Sequence, residues 1–178
     1  MITIEPGNME IGTAHVDRAS LRRYLLRAQA AVGLQGEVHV LLSDDAALRR
    51  LNRLFRGMDK ATDVLSFPAA NESGGMAGDL AISLEHAQRQ AEQFGHTLAE
   101  EVRILLLHGL LHLAGEDHEV DSGEMALREQ KLRAQLRLPV GLIERVQPEA
   151  DAVAKPVRST AAVHRANARG AAVRRRRA

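Results

Sequence analysis

No cysteine and no tryptophan occur among the 178 residues, and one Tyr and three Phe are the only Phe, Trp or Tyr side chains. Without cysteine there is no disulfide framework, no thiolate metal site and no cysteine nucleophile. Aromatics at 2% argue against a stacking platform of the RNA-recognition or OB type. No apolar run approaches the ~18–20 residues needed to cross a bilayer. The opening MITIEPGNMEIG has neither a basic n-region nor an apolar h-region. A cytoplasmic protein with no membrane partner is therefore expected. What is present, 45% apolar and 26% charged residues, is the mix of a globular domain able to bury a core unaided.

The net charge of +1 conceals an asymmetry. Residues 151–178 carry eight basic groups and one acidic, net +7, which leaves residues 1–150 with sixteen basic and twenty-two acidic, net −6. The C-terminal stretch is rich in Ala, Val and Arg, lacks Leu, Ile and aromatics, and ends RGAAVRRRRA. It offers too little apolar surface to offset its ordering entropy. The expectation is a folded domain over 1–148 and a disordered basic tail over 149–178. That tail reads either as solvated chain or as an arm that strengthens phosphate contacts by counterion release.

Within the body, MITIE, EVHVLLS (37–43), TDVLSF (62–67) and DLAIS (79–83) read as strands. Between and after them lie helical stretches. Asp17 caps the first, which Gly33 ends, and Ser43 or Asp44 caps DDAALRRLNRLFR, with Leu48, Leu51, Leu54 and Phe55 as one apolar stripe. Ser83 caps a helix ending at Gly95. Thr97 and Glu100 form a capping box for LAEEVRILLLHGLLHLAG, and Asp121 or Ser122 opens the last helix. AANESGGMAG reads as turn chemistry. Interleaved strands and helices predict an α/β fold, a small mixed sheet layered with helices.

The chemistry concentrates in HGLLHLAGEDH, residues 108–118. His108 and His112 are four apart on a helix, an advance of about 400° and ~6 Å, so both imidazoles face one side. Gly115 can take the left-handed conformation that ends the helix, letting His118 swing under them. Three neutral imidazoles with an open position are the layout of a catalytic zinc site on a zincin-like helix. Burying two such rings among Leu105, Leu106, Leu107, Leu110 and Leu111 costs a few kcal/mol unless something pairs them, on the order set by polar burial. Any one of His15, His39, His86, His96 and His164, by contrast, reads as an ordinary packed histidine. The frame H-x3-H-x2-G-x2-H is also that of the metzincin peptidases, whose second position is a general-base Glu. Here it is Gly109, so peptide hydrolysis is the weaker reading.

At these motifs the sequence resembles the YbeY family, bacterial single-domain, metal-dependent endoribonucleases of ribosomal RNA maturation. HGLLHLAGEDH is similar to its H-G-x-L-H-L-x-G-[Y/F]-D-H. LNRLFRGMDKATDVLSFP resembles its second hallmark, L-N-x-x-[YF]-R-x-x-[DN]-x-x-T-D-V-L-S-F-P, and GDLAIS its G-D-I-x-I-S strand. The helix bearing Met125 and Glu129 fits the segment that the family carries after its histidines. Glu116 in place of the aromatic and Ala61 in place of a common Pro are departures.

The resemblance implies a single-strand-specific endoribonuclease acting at the 3′ end of 16S rRNA. RNA and the small ribosomal subunit would be its partners, with no DNA. It implies one Zn2+ held by His108, His112 and His118, with Arg56 and His108 catalytic and Arg56 also binding substrate. Two alternatives stay beside it: a non-catalytic ribosome-assembly factor with a structural zinc, and a metallopeptidase. Read without the resemblance, Arg56 is a cation facing a helix C-terminus or a guanidinium fork for a phosphate. Thr62, Asp63 and Asp79 are turn or cap residues or site-shaping contacts, and Asp117 is a turn residue or a support for a histidine tautomer. Arg49, Arg50, Arg53, Arg56 and Lys60 form a solvated helix face or a phosphate track.

Overall fold

The computed structural model describes residues 1–4, 16–70, 75–118 and 120–139. Four strands are β1 (Ile2–Ile4), β2 (Glu37–Ser43), β3 (Val64–Pro68) and β4 (Met76–Ser83). Five helices are α1 (Arg18–Val32), α2 (Asp45–Arg56), α3 (Leu84–Phe94), α4 (Leu98–Leu113) and α5 (Glu124–Leu136). The sheet runs β1-β2-β4-β3, with the first three parallel and β3 antiparallel to β4. It is the mixed sheet layered with helices that the alternation of elements predicts. The basic stretch 149–178 lies outside the described residues, as do His15 and His164.

Strand alternation divides the sheet into two unequal faces. Val38, Val40 and Leu42 of β2 and Leu80 and Ile82 of β4 join the main core with α1, α4 and α5. On the other face Leu48, Leu65 and Ala81 make a small second cluster, edged by Leu41, Leu51 and Phe67. α4 packs against α1, α3, α5, β3 and β4. That surround explains why the helix is apolar on nearly every side: Val102, Ile104, Leu105, Leu106, Leu107, Leu110 and Leu111 are all buried.

The helix starts follow the predicted caps. Asp17 accepts from Ala19 N and Ser20 N, Asp44 from Ala47 N, and Ser83 from His86 N. Thr97 and Glu100 close the reciprocal box. α5 is the exception: it begins at Glu124, its cap position is the left-handed Gly123, which makes no side-chain cap bond, and Asp121, two residues earlier, accepts from Gly123 N and Met125 N at 2.8 and 2.7 Å.

Two expectations are corrected. β4 begins at Met76, inside the stretch read as turn, because the backbone of Met76–Asp79 finds partners in β2 and the edge strand β3. The apolar stripe of α2 is also divided. Leu48 is buried, whereas Leu54 and Phe55 are 75% and 62% exposed. Among the described residues this face of the sheet carries one helix, and the α2 residues that it buries are Ala47, Leu48 and Asn52.

Candidate metal centre and its cleft

The last turn of α4 is closed by two backbone bonds, Gly115 N to His112 O at 3.0 Å and Glu116 N to Leu111 O at 3.1 Å. This is the Schellman pattern, and Gly115 sits at φ +88°, in the left-handed region that favours glycine. The reversal brings His118 back to the helix. The rings of His108, His112 and His118 lie with centroids 4.7, 5.1 and 5.3 Å apart. One ligand atom from each falls within 4.8 Å of the others, so among the described residues these three could hold a metal ion.

The protonation pattern favours a cation there. His108 is buried, and its Nδ1 lies 3.1 Å from Oε2 of Glu129, itself 2% exposed. Donation from Nδ1–H to the carboxylate leaves the Nε2 lone pair directed at His112, whose Nε2 is 3.1 Å away. His112 also donates a hydrogen bond to the Glu116 backbone carbonyl. Two imidazole lone pairs at that separation repel unless a positive charge lies between them. Burial, then the neighbouring His108 and His118, pushes the His112 imidazole below its ordinary pKa, favouring the neutral form that ligates. Nδ1 of His118 is buried with no hydrogen-bond partner among the described residues. A buried carboxylate behind an imidazole is the arrangement that fixes tautomer and ring orientation in metal-binding histidines.

The triad forms part of the wall of a cleft of about 610 Å³ that Arg56, Thr62, Asp63, Ser66 and Asp117 also line. Arg56 thus comes to the same cleft as the histidines, from the C-terminal end of α2. Asp63 accepts from Thr62 Oγ1 and Val64 N at 3.1 and 2.8 Å, so the turn role and the place on the cleft coincide. Asp79 does not join them: it is exposed on the other face of the sheet, 3.4 Å from His39. In the basic run, Arg49 forms a two-pronged pair with Asp59 at 2.7 and 2.9 Å. Among the described residues, the remaining histidines stand apart from this group. His96 pairs with Glu101 and His86 contacts Arg89.

Gly109 has a packing reason. A Cβ there would stand 2.8 Å from Cδ2 of the buried Leu80 and 3.3 Å from Ser66 Oγ. A larger residue at this position would require the buried Leu80 side chain to shift, so glycine lets α4 sit close on β4.

Two residues go beyond the sequence reading. Glu129 enters that reading only as part of a helix; its signal is a carboxylate on the buried stripe Met125, Glu129, Leu132, Leu136. Glu116, where the family motif has an aromatic, pairs with Arg128, which also donates to the Val32 carbonyl at 2.5 Å. That ties the histidine loop to α5 and to the end of α1. Burial pushes the Glu116 carboxyl above its usual range, against the pull of Arg128.

The family model described as Endoribonuclease YbeY matches residues 8–137. A Koribacter versatilis protein named Endoribonuclease YbeY is 54% identical over 142 residues, which cover 80% of this chain and 92% of that one. A Solibacter usitatus protein of the same name is 55% identical over 135 residues, covering 75% and 89%. Among solved structures, the solution structure of a Thermotoga maritima protein is similar at a TM-score of 0.50 and 27% identity, covering 88% of this chain and 100% of the other.

Proposed function

The chain belongs to the YbeY endoribonuclease family, and from that premise we propose that it cuts single-stranded RNA at the three-histidine cleft. The observation that carries this reading is the meeting of His108, His112, His118 and Arg56 in one open cleft. The donor set, three imidazoles with a carboxylate behind one of them, suits a single zinc ion held by His108, His112 and His118. Such an ion supplies Lewis-acid polarisation of a phosphoryl oxygen and activation of water near neutral pH.

The chain's own residues do the rest. Arg56 offers a planar fork of N–H donors to the non-bridging oxygens of a phosphodiester, and its charge stabilises the transition state. His108 is fixed by Glu129 with its Nε2 toward the cleft. RNA brings a 2′-hydroxyl beside each phosphate, so a site without a glutamate at position 109 is still equipped for phosphodiester cleavage. The physiological reading is maturation of the 16S rRNA 3′ end on the small ribosomal subunit, in the cytoplasm.

The test is cleavage of single-stranded and structured RNA by the full chain, with and without chelator, alongside metal analysis. About one zinc per chain and chelator-sensitive cleavage of the single strand are expected. Arg56→Ala is expected to lower kcat/KM by about 10²-fold or more, the range for loss of one transition-state donor. Cleavage that survives both metal removal and His112→Ala would reject the reading.

In the same proposal, the functional domain spans 1–148 and the basic segment 149–178 acts as an arm on phosphates. Truncation after residue 150 is expected to leave the melting temperature nearly unchanged. It should also flatten the salt dependence of RNA binding, by about 0.7 in log–log slope for each phosphate that the arm neutralises. A large fall in melting temperature would show that the segment is docked instead.

A further inference from the structure

Phe55 is 62% exposed, in a chain with only four Phe, Trp or Tyr residues. Its ring is nonetheless held, by an edge-to-face contact with Phe67 at 5.0 Å and 62°. Together with Leu41, Leu51 and Ala81, the two rings line a mainly apolar groove of about 460 Å³ on the sheet face opposite α4, which Asp79 and its neighbour His39 also line. The next residue in the chain, Arg56, lines the histidine cleft. The end of α2 therefore carries a guanidinium to the cleft and an aromatic ring to a separate groove, from consecutive positions. Arg53 lies three residues before Arg56 on the same helix face and, like it, is exposed. The nearby Arg49 is engaged by Asp59.

A cationic ridge beside an open aromatic ring is the arrangement that holds single-stranded nucleic acid, phosphates on the cations and a base on the ring. We propose that Phe55, steadied by Phe67, is a base-stacking subsite for the nucleotide adjoining the phosphate at Arg56. The inference rests on the endoribonuclease reading and adds to it a way of selecting unpaired RNA. A base inside a duplex keeps its faces covered by its neighbours, so the ring can take up only one that has left the stack. The consecutive placement of Phe55 and the cleft residue Arg56, with the exposed Arg53 one turn earlier on the same helix, favours RNA over a protein segment as occupant.

The probe is a single-stranded oligoribonucleotide carrying one 2-aminopurine, titrated with the full chain in chelator, so that binding is read without cleavage. Wild type is expected to quench the fluorophore at one position along the strand. Phe55→Leu, which keeps the groove apolar but removes the ring, should abolish that quenching and weaken binding about tenfold, the order of one stacked base. Phe55→Tyr should restore both. An oligonucleotide abasic at that position should bind wild type and Phe55→Leu equally. In the metal-loaded protein the loss should fall on KM.

Equal quenching and affinity in Phe55→Leu, with cleavage intact in both proteins, would overturn the stacking subsite and leave the endoribonuclease reading standing. The same holds if a tenfold loss persists against the abasic strand. If Phe55→Leu keeps RNA affinity but no longer binds the small ribosomal subunit, the groove takes a protein and the subsite is rejected. Absence of RNA cleavage by wild type would remove the parent reading as well.

Discussion

Replacing His112 with Ala is expected to abolish RNA cleavage and metal retention while leaving the fold intact. The ring is only half-buried and sits in the last turn of a helix whose cohesion comes from the leucines on its other sides. Alanine is the best helix former, so the backbone has no reason to open. What disappears is one of three donors, together with the partner that faces His108 Nε2 at 3.1 Å. If a bound cation contributes several kcal/mol of transition-state stabilisation, its loss corresponds to about 10³-fold or more in kcat/KM. His108→Ala should be equally inactive but less stable. It deprives the buried Glu129 carboxylate of its imidazole donor, a change of about 1–3 kcal/mol for a buried polar group and more for a charged one. Activity, zinc content and melting temperature measured together separate the two variants. The metal reading fails if His112→Ala still binds one zinc and cleaves at more than a tenth of the wild-type rate.

The contrast between these two histidines is only half legible in the sequence. Spacing alone puts His108 and His112 on one side of a helix, and Gly115 supplies the reversal for His118, because both are consequences of local geometry. The capping residues are legible for the same reason. Facing partners from distant segments are not. Nothing within ten residues of His108 announces Glu129, which reaches it from another helix. Helical periodicity also marks Leu54 and Phe55 as apolar without saying whether anything covers them. On the α4 side four helices close over the sheet, so apolar pattern and burial agree. On the α2 side a single helix lies on the sheet among the described residues, and the agreement breaks where that cover ends. The extension of β4 to Met76 is hidden for a related reason. Gly and Ala carry no strand pattern, and the residues are extended because β2 and β3 offer hydrogen bonds on both sides.

Glu129→Gln is the substitution that tests whether the carboxylate positions the metal ligand or merely fills the core. Its surroundings are poorly solvated. Burial raises the pKa of the nearby Tyr24 phenol above its ordinary value, and the Glu129 charge adds to that rise while Arg103 and Arg27 oppose it. A carboxylate there is tolerated because His108 donates to it, and a carboxylate can only accept. Glutamine has the same shape but carries an amide NH2 beside its oxygen. It can present either group to Nδ1, and when it presents the donor it drives the imidazole proton onto Nε2, toward His112 and His118. It also withdraws the negative charge that makes Nε2 a better donor to a cation. Metal affinity should fall about 10- to 100-fold, the usual range for loss of the group behind a metal-bound histidine. The melting temperature of the metal-free protein should change little, since removing a buried charge offsets part of the missing hydrogen bond. The stabilisation gained on adding zinc should shrink with the affinity, by about 1.4 kcal/mol per tenfold when zinc is well in excess. A purely structural Glu129 predicts the reverse pattern: a lower metal-free melting temperature with zinc affinity unchanged. Chelator competition and thermal unfolding with and without zinc distinguish the two, and the second pattern would remove Glu129 from the account of the site.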